Sequence, residues 1–162
     1  MKKKIVFIMN PISGTSSKAA VPSLIDSTLD KEQFEYEIKM TERPGHASEL
    51  AAEARDNHAD IVVAVGGDGT VNEVARSLVH SDSALGILPC GSGNGLARHL
   101  LLPMNLKKSI EIINACEIHD LDYGVINEYP FFCTCGMGFD AFVSMKLQKA
   151  ESVDRSAMQR TS

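Results

Sequence analysis

Ile61-Val62-Val63-Ala64-Val65-Gly66-Gly67-Asp68-Gly69-Thr70-Val71-Asn72-Glu73 decides the fold of this chain. Residues 61–65 are β-formers and small apolars in an unbroken run, the pattern of a strand buried on both faces. Thr70 and Glu73 have the S/T-x-x-E spacing of a capping box, which predicts a helix starting there. A strand, a glycine loop and a helix N-terminus together place backbone N–H groups where they can hold phosphate. Asp68 sets a condition on that reading. A carboxylate among phosphate donors repels phosphate unless it works with Mg²⁺ or takes a proton from an acceptor. The loop therefore predicts phosphoryl transfer rather than passive nucleotide binding. Gly66, Gly67 and Gly69 are read as permitting positive φ and close backbone approach.

Working outward, residues 4–9 read as a first strand, ending at the turn Asn10-Pro11-Ile12-Ser13-Gly14. A helix is expected over 17–29, with Val21, Leu24, Ile25 and Thr28 on one face. Residues 34–40 alternate as a second strand, followed by the Thr41–His46 loop and an alanine-rich helix with Ala47, Leu50, Ala51 and Ala54 inward. The 61–65 strand leads into a helix over 71–79, then a strand over 84–88 and a second glycine loop, Pro89-Cys90-Gly91-Ser92-Gly93-Asn94-Gly95. A short helix stops at Pro103. Another starts at the N-cap Asn105 and buries Ile110, Ile112 and Ile113 in part. Strands alternating with helices predict an α/β fold: a doubly wound, mostly parallel sheet with helices on both faces. All these loops follow strands, so they should gather along the carboxyl edge, where such folds bind ligands. From residue 118 the pattern changes to consecutive strands, over 120–126 and 130–135, joined by a turn near Asn127-Glu128. The expected organisation is an α/β domain over 1–117 and the start of a β-rich domain over 118–162, apparently truncated in a polar tail.

A net charge of −5 leaves no general nucleic-acid footprint. Lys2-Lys3-Lys4 before an apolar stretch superficially resembles a signal peptide, but residues 5–9 are too short for its apolar core and Asn10-Pro11 interrupts them. No segment approaches the roughly 20 apolar residues that span a bilayer. The expected location is cytoplasmic. Cys90, Cys116, Cys133 and Cys135 lack zinc spacing and read as reduced packing residues. His58, His80, His99 and His119 show no metal spacing either. There is no G-x-x-x-x-G-K-[ST] loop, and the first strand-to-helix turn lacks G-x-G-x-x-G, which argues against P-loop and ordinary dinucleotide-binding domains.

Several of these residues also have plain structural readings. Gly66-Gly67 is also a tight turn, Thr70 with Glu73 a cap, and Asn10-Pro11 and Thr41 turn-formers. His46 fits a structural role at a helix entrance, and Asp140 a cap for a helix beginning near Ala141. Arg98 either meets phosphate charge or pairs with an acidic neighbour.

Taken in order, Asn10 to Gly14, Thr41 with Gly45-His46-Ala47, Gly66 to Glu73, Pro89 to Asn94 followed by Leu96-Ala97-Arg98, and Gly136-Met137-Gly138-Phe139-Asp140-Ala141 resemble the diacylglycerol kinase catalytic-domain family. That family includes bacterial lipid kinases and the sphingosine kinases. The resemblance implies transfer of the ATP γ-phosphoryl group to a lipid hydroxyl with Mg²⁺. It implies that Asn10, Ser13, Gly14, Thr41, Gly66, Gly67, Gly69, Thr70, Asn72, Glu73, Gly91, Ser92, Gly93 and Asn94 line the nucleotide site. By the same resemblance Asp68 is the base for the lipid hydroxyl, and Asp68 and Asp140 meet the lipid. No metal ligand is assigned, because the bacterial branch keeps an important carboxylate and its metal-ordering residues far downstream. The implied partner is a lipid at the membrane surface, with peripheral association, no nucleic acid and no transmembrane segment. An unprotected sheet edge also allows a homo-oligomer. Two alternatives stay open: an NAD kinase-like enzyme, since that family also carries a G-G-D-G-T loop after a strand, and a nucleotide-binding fragment without catalysis.

Overall fold

The computed structural model describes residues 2–11 and 18–132. Strands β1 (Lys3–Met9), β2 (Phe34–Met40), β3 (Ile61–Gly66) and β4 (Ala84–Pro89) form one sheet in the order β2-β1-β3-β4. Every pairing in it is parallel. The doubly wound fold expected from the sequence is therefore present. Met9 stands opposite both Met40 and Val65, and Gly66 opposite Pro89, so the four carboxyl ends finish nearly level. That register brings the loops after them into one row.

Alternation along β1 and β3 divides the core between the two faces. Val6, Ile8, Val62 and Ala64 face α2 (His46–Asp56), α3 (Asp68–Leu78) and the short α4 (Gly95–His99). Ile5, Phe7, Met9, Val63 and Val65 face α1 (Val21–Thr28) and α5 (Leu106–Ala115). The alanine stripe Ala47, Ala51, Ala54 is buried as the spacing predicts. Small side chains on that stripe let α2 lie close to the sheet and to α3.

Several expectations are corrected at element ends. The first helix is one turn of 3-10 helix, Lys18–Ala20, followed by α1, with Pro22 in the first turn, where its missing N–H is harmless. The capping box is not formed. Gly67 is the N-cap of α3 and its carbonyl accepts the Val71 N–H at 3.0 Å, so the helix begins at Asp68 and Thr70 is already inside it. Asn105 does cap α5, accepting the Lys108 N–H at 3.0 Å. Ile110 and Ile113 are buried there, but Ile112 is 45 % exposed, because it falls off the i, i+3 stripe. Among the described residues beyond α5, β5 (Gly124–Ile126) and β6 (Tyr129–Phe131) form an antiparallel hairpin. Residues 120–122 lie outside it. Asn127 and Glu128 at its tip both have positive φ, the geometry of a two-residue I′ turn. The Arg76 Nε ties the hairpin to α3 by donating to the Pro130 carbonyl at 2.8 Å. Ser13, Gly14, Cys133, Cys135 and Asp140 lie outside the described residues.

Phe7 has no exposed surface and sits in the middle of β1, edge-on to Tyr36. Phe7→Ala should lower the unfolding free energy in urea by about 3–5 kcal/mol.

Candidate functional site

The carboxyl edge is stitched together by the backbone continuing past each strand. The Thr41 N–H donates to the Met9 carbonyl (2.9 Å), the Asn10 N–H to Val65 (3.2 Å) and the Cys90 N–H to Gly66 (2.8 Å). Asn10, Thr41, Gly66, Gly67 and Gly91 are thereby gathered at one rim.

Above β3 and β4 the two glycine loops touch. A Cβ on Gly91 would lie 2.4 Å from the Gly67 Cα, a distance that no side chain tolerates. A Cβ on Gly93 would lie 2.6 Å from Asp68 Oδ2. The reason for glycine is thus close approach. The expected positive φ is absent at Gly66, Gly67 and Gly69; among described glycines only Gly45, the N-cap of α2, has it.

Asp68 is not a bare anion. Its Oδ2 accepts the Asn94 N–H at 3.0 Å and its Oδ1 the Gly95 N–H at 2.6 Å. The carboxylate of one glycine loop therefore holds the backbone of the other. Hydrogen bonds to a charged acceptor contribute about 1.5–3 kcal/mol each, and exposure of Asp68 puts these at the lower end. Asn94 closes its own loop: its Oδ1 accepts the Gly91 N–H (2.8 Å) and its Nδ2 donates to the Gly91 carbonyl (2.7 Å). It is buried and left-handed at φ 52°, a conformation that asparagine tolerates. Arg98 braces the same loop through Nε to the Gly93 carbonyl at 2.8 Å. Ser92 and Gly69 are exposed at the rim.

Glu73, freed from capping, accepts the Gly45 N–H at 3.2 Å and so links α3 to the Thr41 loop. His46 Nδ1 accepts the Glu42 N–H at 3.1 Å, which makes it a loop brace. Thr70 and Thr41 are buried. Asn72 Oδ1 is the one buried side-chain acceptor without a hydrogen-bond partner among the described residues.

Sequence reasoning missed Lys18. Only 7 % of it is exposed, and its ammonium donates to the Asn10 carbonyl at 2.6 Å, at the end of β1 and beside Cys90. Burial lowers its proton affinity, and the same burial pushes the Cys90 thiol up. The signal was present: Lys18 precedes Val21 and Ile25 by three and seven residues, on the apolar stripe. No group of three or more potential metal ligands occurs among the described residues.

The family model for the diacylglycerol kinase catalytic domain matches residues 4–126. The chain belongs to the diacylglycerol kinase catalytic-domain family. A diacylglycerol kinase of Staphylococcus saprophyticus is 34 % identical over 134 residues, covering 81 % of this chain and 44 % of the relative. One of Staphylococcus haemolyticus is 33 % identical over 134 residues, covering 81 % and 40 %. The chain thus spans less than half the length of these relatives. The fold of a Bacillus anthracis diacylglycerol kinase matches with a TM-score of 0.68 at 24 % identity, over 80 % of this chain and 48 % of that one. In this member of the diacylglycerol kinase family, the motif residues that the structure describes meet mainly one another.

Asp68→Asn replaces one of two acceptors with a donor facing an N–H. Amide exchange at Asn94 and Gly95 should then accelerate at least about tenfold, measured by NMR, while exchange in β3 stays slow. Lys18 gives a pH prediction. Its folded proton affinity lies below the ordinary 10.5, so the unfolded chain binds more protons in that window and stability rises with pH there. Measured in a Cys90→Ala background, because the Cys90 thiol is coupled to Lys18, the unfolding free energy relative to Lys18→Met should therefore climb as pH rises toward 10.5.

Proposed function

We propose that this chain is the nucleotide-binding part of an ATP-dependent lipid kinase that transfers the γ-phosphoryl group to a lipid hydroxyl. The observation carrying the reading is the contact of the Gly67 and Gly91 loops at the carboxyl edge, in a chain whose family match runs through both. Phosphoryl transfer asks the protein mainly for positioning and charge neutralisation. Backbone N–H groups of the first turn of α3 have no intrahelical acceptor, and the space beside the Gly69 Cα is open. With Lys18 they offer donors and positive charge to phosphate. The flanking loops, carrying Asn10, Thr41, Ser92 and Gly93, would form the walls around the nucleotide.

Mg²⁺ needs only one or two carboxylates beside phosphate oxygens and water. Asp68 is suited to be such a ligand through the remaining lone pairs of its carboxylate, and the ion would supply neutralisation of the phosphate charge. We assign Asp68 first as a positioning residue that fixes the second glycine loop. Action as base on the lipid hydroxyl would require it to loosen one of those bonds. Among the described residues no helix is long and apolar enough to cross a membrane. We place the encounter with the lipid at the surface of the bilayer, from the cytoplasm. The hairpin β5–β6 is read as the beginning of a lipid-binding domain, which would contribute the acceptor cavity and Asp140.

The test measures transfer of radiolabelled γ-phosphate from Mg·ATP to diacylglycerol, sphingosine or NAD, with ATP binding followed separately by calorimetry. Phosphorylated lipid is expected, and phosphorylated NAD alone would overturn the reading. Lys18→Met should weaken ATP binding by about tenfold or more. Asp68→Asn should raise the KM for ATP as well as lower kcat; a fall in kcat alone would restore Asp68 as a pure base.

A further inference from the structure

The turn that leaves α4 carries a side chain where elementary physics disfavours it. The Leu101 N–H donates to the Arg98 carbonyl (3.0 Å) and the Leu102 N–H to the Ala97 carbonyl (2.9 Å), the paired bonds of a Schellman helix end. This end holds Leu101 at φ 57°, a left-handed position that usually falls to glycine or asparagine. Leu101 is also 89 % exposed, and Leu100 beside it 39 %. Leu102 and Met104, by contrast, turn back against the core. In water Leu101 is therefore unfavourable twice, by its backbone and by its bare side chain.

Charge along this stretch of the sequence is one-sided as well. Residues 83–110 contain no aspartate or glutamate in a chain of net charge −5, yet Arg98, Lys107 and Lys108 are all exposed there. Lys107 and Lys108 occupy the first turn of α5, which holds no acidic residue and where the helix dipole disfavours cations; the nearest acid along the helix is Glu111, one turn on. An anionic interface with apolar material beneath it relieves the bare side chains and the unbalanced cations together, whereas the backbone strain at Leu101 stays. We propose that the Leu100–Leu101 turn, flanked by Arg98, Lys107 and Lys108, is a tip that inserts into an anionic phospholipid bilayer. At its other end α4 begins at Gly95, which Asp68 holds. So short a helix sets the tip on the order of 10 Å from the glycine loops. Docking there would bring the nucleotide edge toward the membrane. The proposal rests on the lipid-kinase reading for its purpose, but its measurement needs neither nucleotide nor turnover.

The test is cosedimentation of the full chain with vesicles of phosphatidylcholine alone or of an equimolar mixture with phosphatidylglycerol. Binding to the mixed vesicles is expected, weakening as salt is raised. Leu101→Asn suits the left-handed position, so it should keep or raise the melting temperature while weakening vesicle binding about tenfold. Joint replacement Lys107→Gln and Lys108→Gln should weaken binding and flatten its salt dependence. Equal binding to both vesicle types, or undiminished binding by Leu101→Asn, overturns the proposal. So does a fall in melting temperature for Leu101→Asn, which would make Leu101 a packing residue. A change in gel-filtration state without a change in vesicle binding also overturns it, and assigns the tip to contact with a second copy. Vesicle binding lost by Leu101→Asn together with phosphorylated NAD in the transfer assay would keep the tip and remove only its lipid-kinase purpose.

Discussion

The approach of Gly67 to Gly91 is the constraint on which the candidate site depends. Two polypeptide backbones in contact at the end of a parallel sheet leave no room for a Cβ at Gly91. Once they meet, the other interactions at that edge have places to form. Asp68 reaches the Asn94 and Gly95 amides, Asn94 closes on Gly91, and Arg98 braces Gly93. Each of these bonds ties one loop to the other or stiffens the second loop. The edge is thereby preorganised before any ligand arrives, which favours binding by lowering the entropy lost on ordering.

Preorganisation of this kind gives the polar side chains of the motifs a structural task. Asp68, Asn94 and Glu73 spend hydrogen-bonding capacity on backbone amides of neighbouring loops. The first-turn N–H groups of α3 have no intrahelical acceptor, and the buried Lys18 ammonium sits on the Asn10 carbonyl at the end of β1. A surface built from fixed dipoles and one buried cation suits a polyanion, because little has to reorganise when charge arrives. The cost is carried elsewhere, in the desolvated Lys18 and in the orphaned Asn72 acceptor.

The Leu100–Leu101 turn follows a different logic. Leu101 and the first-turn lysines of α5 are locally unfavourable, whereas the glycine-loop bonds are locally favourable. Features that weaken a protein in water are intelligible where another solvent meets them. Both kinds of feature lie at opposite ends of the short α4, so one helix connects the rigid edge to the exposed tip.

Much of the architecture was legible in the residues alone. The apolar run at 61–65, the alternation at 34–40 and the alanine stripe Ala47, Ala51, Ala54 each determine their element, because side-chain periodicity follows directly from backbone geometry. Strands separated by helices then require parallel pairing, and parallel pairing requires the loops to share an edge. Asn105 announced its cap for the same local reason. The partners of Asp68 and Glu73, the burial of Lys18 and the true start of α3 at Asp68 were decided only by the tertiary structure. The first three depend on a group distant in sequence: Asn94 and Gly95 for Asp68, Gly45 for Glu73, Cys90 beside Lys18. Local spacing offered Thr70 and Glu73 as a cap. The folded chain brought a more favourable donor to Glu73 from another loop, and the helix started where the Gly67 carbonyl met the Val71 amide.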